Sequence, residues 1–140
     1  MPTSQITARL ARMCPATSEN QIRLPTDPTA SAQARRFLEA ARCPVHNTAV
    51  LDEALLMVSE LVANAVSHGG PPISVKVSCN ASDGMEVRVS DGSERMPEPG
   101  EPEPTSENGR GLYLVDVLSS RWGVEPTEDG KEVWFLLRPE

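Results

Sequence analysis

The chain has 140 residues, 39% of them hydrophobic, with 20 Asp and Glu against 13 Lys and Arg and a formal net charge of −7. That length suits one domain with a real core, and the acidic balance excludes a nucleic-acid binder working through a basic stripe. No apolar run approaches the roughly 20 residues of a membrane span, and Met1 to Asn20 lacks the apolar segment of a secretory signal, so a soluble cytoplasmic protein is expected.

Residues 1–19 are polar, rich in Thr and Ser, and expected to form a flexible tail ahead of a single domain over 20–140. Gln21-Ile22-Arg23-Leu24 alternates polar and apolar and predicts a first short strand, ended by Pro25 and Pro28. A helix is predicted over Ala30 to Arg42, with Thr29 as its cap and Phe37 and Leu38 facing inward; Pro44 stops it.

A longer helical pattern starts near Thr48, the expected cap, and runs to His68. At about 100° per residue, Leu51, Leu55, Val58, Val62, Ala65 and Val66 fall on one side. Glu53, Glu60, Asn64, Ser67 and, at the edge, His68 fall on the other. A solvated helix face normally carries cations, yet no Lys or Arg occurs from Ala49 to His68. Glu60 and Asn64 instead present oxygens one turn apart, which suits a hydrated cation. Such pairs are commonly just solvated, so the pair alone does not identify a site.

Gly69-Gly70-Pro71-Pro72 breaks the helix. Ile73, Val75 and Val77 alternate with polar residues, Ser82-Asp83-Gly84 turns, and Met85, Val87 and Val89 alternate again, which predicts a β-hairpin. Its second strand delivers Asp91-Gly92-Ser93, and a carboxylate there can accept a hydrogen bond from an exocyclic amine such as adenine's. An ordinary turn aspartate is the plainer reading of Asp91 alone. Residues 94–108 carry four prolines and five glutamates and are expected to form an exposed, semi-extended loop. Gly109-Arg110-Gly111 then opens a predicted helix over Leu112 to Ser120. Glycines before a helix N-terminus let backbone amides approach an anion such as phosphate, although a simple helix-entry turn has the same form. Closing strands are predicted over Trp122 to Glu125 and Glu132 to Leu137, joined by a turn at Asp129-Gly130.

The three cysteines, Cys14, Cys43 and Cys79, are odd in number and far apart. They suggest neither a metal spacing nor a disulfide framework and fit a reducing compartment. No thiol partner is expected for His46 or His68.

The order of these pieces is more specific than any one of them, and it resembles the GHKL ATPase superfamily. Within it the chain is most similar to stand-alone serine/threonine kinases that act as anti-sigma factors. Glu60-Leu61-Val62-x-Asn64-Ala65-x-x-His68 resembles their N box, Asp91-Gly92-Ser93 the first glycine box, and Gly109-Arg110-Gly111-Leu112-x-Leu114-Val115 the second. Arg121-Trp122-Gly123-Val124 and Gly130-Lys131-x-Val133-Trp134-Phe135 resemble the family's closing segment. The resemblance covers about residues 20 to 138. It implies an α/β protein of the Bergerat type: an α+β two-layer sandwich, with a mixed sheet covered by helices and a lid loop at about 94–108.

The resemblance also implies ATP and Mg²⁺ as cofactors. Asn64 would hold the metal, Glu60 would be the catalytic base and Asp91 would hold the adenine amine. His68, Ser93, Gly109, Arg110, Gly111 and Leu112 would line the nucleotide site. The implied partners are a sigma factor and a STAS-type anti-anti-sigma protein, with a homodimer, no direct nucleic acid and no membrane. Two departures carry expectations. Ser93 replaces a usual glycine and should stiffen the turn. Glu132 stands where relatives commonly have Thr beside the adenine, and an ionised carboxylate there cannot donate a hydrogen bond. The kinase therefore has an alternative: a non-catalytic nucleotide-binding module that sequesters a partner.

Overall fold

The computed structural model describes residues 19–93 and 110–139. The expected tail, apart from Glu19, and the expected lid at 94–108 lie outside the described residues.

The first strand, β1 (Glu19–Leu24), leads into helix α1 (Ala30–Ala41). Ala30, Ala34 and Leu38 recur every four residues, so they make one buried row down the helix. Asp27 organises the entry to α1: its Oδ1 accepts the Thr29 backbone N–H at 2.8 Å and the Thr29 hydroxyl. Those two bonds hold the Asp27 carboxyl below its ordinary pKa, the hydroxyl contributing most. Thr29 occupies the expected cap position but makes no capping bond through its side chain; its hydroxyl accepts from Gln33 Nε2 at 2.9 Å. Ser31 and Arg35 then tie α1 to the next helix through the Ser59 carbonyl and hydroxyl.

Helix α2 (Leu51–Asn64) follows a single 3-10 turn over Thr48–Val50. The expected Thr48 cap is not formed, because its hydroxyl donates back to the Pro44 carbonyl at 3.1 Å. Asp52 and Glu53 instead favour the helix start through their charge. The buried arc of α2 is Ala54, Met57, Val58, Leu61 and Val62, while Leu51 and Leu55 are only half-buried. The arc is rotated from the expected one because α2 packs on α1, on the sheet and on the third helix at once. Beyond Asn64 the coil widens into a π-helical turn over Ala65–Gly69, closed by Gly70 N–H donating to the Ala65 carbonyl at 2.8 Å.

Strands β2 (Ile73–Cys79) and β3 (Met85–Asp91) form the expected hairpin. Helix α3 (Arg110–Leu118) begins two residues earlier than the sequence pattern suggests, and β4 (Arg121–Pro126) and β5 (Lys131–Leu137) close the chain. Among the described residues, five strands lie in the order β1-β2-β3-β5-β4. Every pairing is antiparallel, which corrects the expected mixed sheet. The unit β3-α3-β4 does run its two strands the same way, but β5 inserts between them, so no parallel neighbours result.

Strict alternation separates the two sheet faces. Ile73, Val75 and Val77, then Met85, Val87 and Val89, then Val133, Phe135 and Leu137 are buried beneath the helices. The other face carries a polar ladder. Ser74 and Ser90 hydroxyls meet at 2.6 Å. Arg88 donates to Glu132 at 2.7 Å and to Glu86 at 2.8 Å, and lies over the Trp134 ring. Burial opposes the Arg88 charge, but the Glu132 and Glu86 carboxylates outweigh it and hold the guanidinium above its ordinary pKa. No helix among the described residues is long and apolar enough to cross a membrane.

Candidate functional site

The alternation that buries Val87 and Val89 also turns Asp91, the last residue of β3, towards the helices, where it is 8% exposed. The end of α2 is pressed onto it. A Cβ on Gly69 would stand 2.5 Å from the Asp91 carboxylate, so only glycine allows this approach. One at Gly92 would stand 2.0 Å from the Pro71 carbonyl, and Gly92 N–H donates to the Gly70 carbonyl at 2.9 Å. The Gly69-to-Pro72 break and the Asp91-to-Ser93 turn are thus one packed unit.

Asp91 Oδ1 accepts the Ser93 backbone N–H at 2.9 Å and the Lys131 ammonium at 3.0 Å. Lys131 is the cross-strand partner of Asp91 and is itself buried. The sequence pattern misses it by starting β5 at Glu132, one residue late. That shift matters because successive strand residues face opposite ways. Glu132 therefore lies on the far face, where its carboxylate accepts from Arg88. Continuing the inward set Leu137, Phe135 and Val133 back by one step finds Lys131.

Glu60 and Asn64 are half-buried on α2, one turn apart, about 6 Å along the axis. Asn64 is the last residue before the π-helical turn, and His68, exposed, lies within that turn beside Gly69. The fold thus gathers Asn64, His68, Asp91, Ser93 and Lys131 around one end of the sheet, with Glu60 a turn behind. Gly109 lies outside the described residues, and Arg110 and Gly111 form the first turn of α3. The far end of α3 is tied down where Ser120 N–H donates to the Leu136 carbonyl at 2.8 Å. Leu112 is buried in the core with Val115. The donor set is an amine acceptor at Asp91, a carboxamide oxygen on α2 and the free amides of a helix start. It fits a nucleotide with its divalent cation.

A second cluster brings together residues that are far apart in the sequence. His46 Nδ1 lies 3.5 Å from the sulfurs of both Cys43 and Cys79, and Cys43 is disulfide-bonded. The expectations of no thiol partner for His46 and of no disulfide are both corrected. The signal in the sequence is the Cys43-x-x-His46 spacing.

A two-layer α+β sandwich with a buried carboxylate at the end of a sheet strand, facing a helix end, agrees with the GHKL-type ATPase resemblance of the sequence. The family model for the histidine kinase-like ATPase domain matches residues 24–137, and the chain belongs to that family. It is 35% identical over 80 residues to an uncharacterized protein of Streptomyces coelicolor, covering 54% of this chain and 76% of that one. The crystal structure of the RsbU and RsbW domains of Rv1364c from Mycobacterium tuberculosis shares the fold, with a TM-score of 0.64 at 17% identity. That match covers 87% of this chain but only 32% of the longer mycobacterial chain.

Proposed function

We propose that this protein is an ATP-dependent serine/threonine kinase acting as an anti-sigma factor. It phosphorylates a STAS-type anti-anti-sigma protein and holds a sigma factor when that partner is phosphorylated. The observation that carries the reading is the buried Asp91 carboxylate packed under Gly69, at the end of the helix that bears Glu60 and Asn64. In this reading Asp91 accepts the adenine amine, and the Asn64 carboxamide oxygen holds Mg²⁺. The α3 amides from Arg110 onward receive phosphate, and Glu60 takes the substrate hydroxyl proton. Bound Mg-ATP supplies the phosphoryl group. The fold-level likeness to a protein with an RsbW domain supports the choice of partners, and the protein acts as a homodimer. The decisive experiment is phosphate transfer from labelled ATP to a purified STAS protein. Incorporation on serine or threonine is expected.

One observation favours a second reading. The Lys131 ammonium already occupies Asp91 Oδ1, where an adenine amine would have to share the carboxylate. A nucleotide-dependent sequestering module that transfers no phosphate would tolerate such competition. ATP binding without transfer to any STAS candidate would select it.

Asn64→Ala tests the cation site that both readings share. Loss of an oxygen ligand should cost about 1.5–3 kcal/mol of Mg-ATP affinity, the worth of a hydrogen bond to a charged group. Calorimetry giving equal Mg-ATP affinity for variant and wild type would remove Asn64 from the site.

A further inference from the structure

We propose that the reduced protein binds one zinc ion through Cys43 Sγ, His46 Nδ1 and Cys79 Sγ. The site lies apart from the candidate nucleotide site. Cys79 ends β2 and the Gly69-to-Pro72 break precedes its start, so the two are separated by the length of the strand, about 20 Å.

The two sulfur-to-nitrogen distances are those of a metal cage. A tetrahedral zinc ion with Zn–S of about 2.3 Å and Zn–N of about 2.0–2.1 Å holds its sulfur and nitrogen ligands about 3.5 Å apart. His46 Nδ1 stands 3.5 Å from each sulfur, and all three ligand atoms lie within 4.8 Å of one another. Two cysteines packed only as small apolar groups would have no need of an imidazole nitrogen aimed between them. Thiolate and imidazole donors together select zinc over the hard cations that prefer oxygen.

The loop is also held in shape. The buried Asn47 side chain accepts the Cys43 backbone N–H through Oδ1 at 3.0 Å, and the Asn47 backbone N–H donates to the Cys43 carbonyl at 2.9 Å. This reciprocal pair closes Cys43-Pro44-Val45-His46-Asn47 into a tight turn and orients both ligands, as supporting groups around metal sites do. Three protein ligands leave one tetrahedral position. Water fills it, and the three protein ligands define the site.

Cys43 is disulfide-bonded here, and a disulfide sulfur has no thiolate to give a metal. The zinc form therefore belongs to the reduced chain, and oxidation and zinc exclude each other at Cys43. With a phosphine reductant the step balances. Phosphorus gives two electrons to the S–S bond and takes the oxygen of water, and the two protons of that water go to the sulfurs. Zinc then displaces the thiol protons of Cys43 and Cys79 and takes the Nδ1 lone pair of neutral His46, whose proton sits on Nε2. The bound ion staples the end of α1 to the end of β2.

The test is a zinc titration of the full chain after reduction with a phosphine, beside the oxidised chain, with metal counted by mass spectrometry and folding checked by circular dichroism. About one zinc per reduced chain is expected and none per oxidised chain. C43S, C79S and H46N should each weaken binding by more than the about 10–100-fold that a mere supporting residue is worth. Should a variant fail to fold, cobalt titration of the reduced wild type decides: a sulfur-to-cobalt charge-transfer band is expected. A folded reduced chain that takes up no zinc, unchanged affinity in folded C79S or H46N, or cobalt binding without that band would each overturn the site. None of these readouts depends on kinase activity.

Discussion

Asp91→Ala is expected to lower the unfolding free energy by about 3–5 kcal/mol, because it leaves the buried Lys131 ammonium without its counter-charge. The pair sits at 3.0 Å with both side chains nearly shut off from water. The lone ammonium would lack the water it gave up on folding. Lys131→Met added to Asp91→Ala should restore most of the loss, since an apolar pair of similar size can replace a buried ion pair at little cost. Nucleotide binding should behave differently. On the proposed reading the adenine amine needs the carboxylate, so Mg-ATP affinity stays low in the double variant although stability returns. Urea unfolding followed by Trp122 and Trp134 fluorescence gives the first quantity and calorimetry the second. A single variant within about 0.5 kcal/mol of wild type would put the pair among ordinary surface contacts. ATP affinity returning with stability would mean that Asp91 serves the fold and not the ligand.

Much of the sheet was legible because β2, β3 and β5 obey a two-residue period with one dry face. Ile73-x-Val75-x-Val77 and Met85-x-Val87-x-Val89 are unambiguous, and so is the turn that joins them. The strand order was not legible. Antiparallel and mixed arrangements bury the same residues, and only the insertion of β5 between β3 and β4 decides between them. In the candidate site, Asp91 at a strand end and the Glu60 and Asn64 pair on α2 came from local pattern. Lys131 did not, because one residue of uncertainty at a strand start reverses which side chain faces inward. The π-helical turn also escaped, since a uniform helical period carries past Asn64 without warning. The Cys43, His46 and Cys79 cluster needed the third dimension: 33 residues separate His46 from Cys79, and only the meeting of the α1 exit with the end of β2 joins them. Residues 94–109, which include Gly109 and the expected lid, lie outside the described residues.

On the proposed kinase reading, Glu60→Gln is expected to leave Mg-ATP binding near normal and to slow phosphotransfer by about 10²–10⁴-fold, the usual worth of a positioned base. Glu60 lies one turn before Asn64 and is half-buried, neither dissolved in the core nor fully solvated. Its carboxylate can accept the proton of a serine hydroxyl as that oxygen approaches phosphorus. Gln keeps the volume and the hydrogen-bonding oxygen but has no basicity at neutral pH, so the substitution removes proton acceptance alone. Ground-state affinity should rest instead on Asp91, Asn64 and the first-turn amides of α3. An interaction used only in the transition state lowers kcat without raising KM. Sigma-factor binding should also be unchanged, because the substitution alters one side chain in the cleft. The measurement is single-turnover transfer to a STAS substrate, with wild type and variant both saturated with Mg-ATP. An unchanged transfer rate would remove Glu60 from the role of base. A fall in rate matched by an equal fall in ATP affinity would make it a binding residue instead.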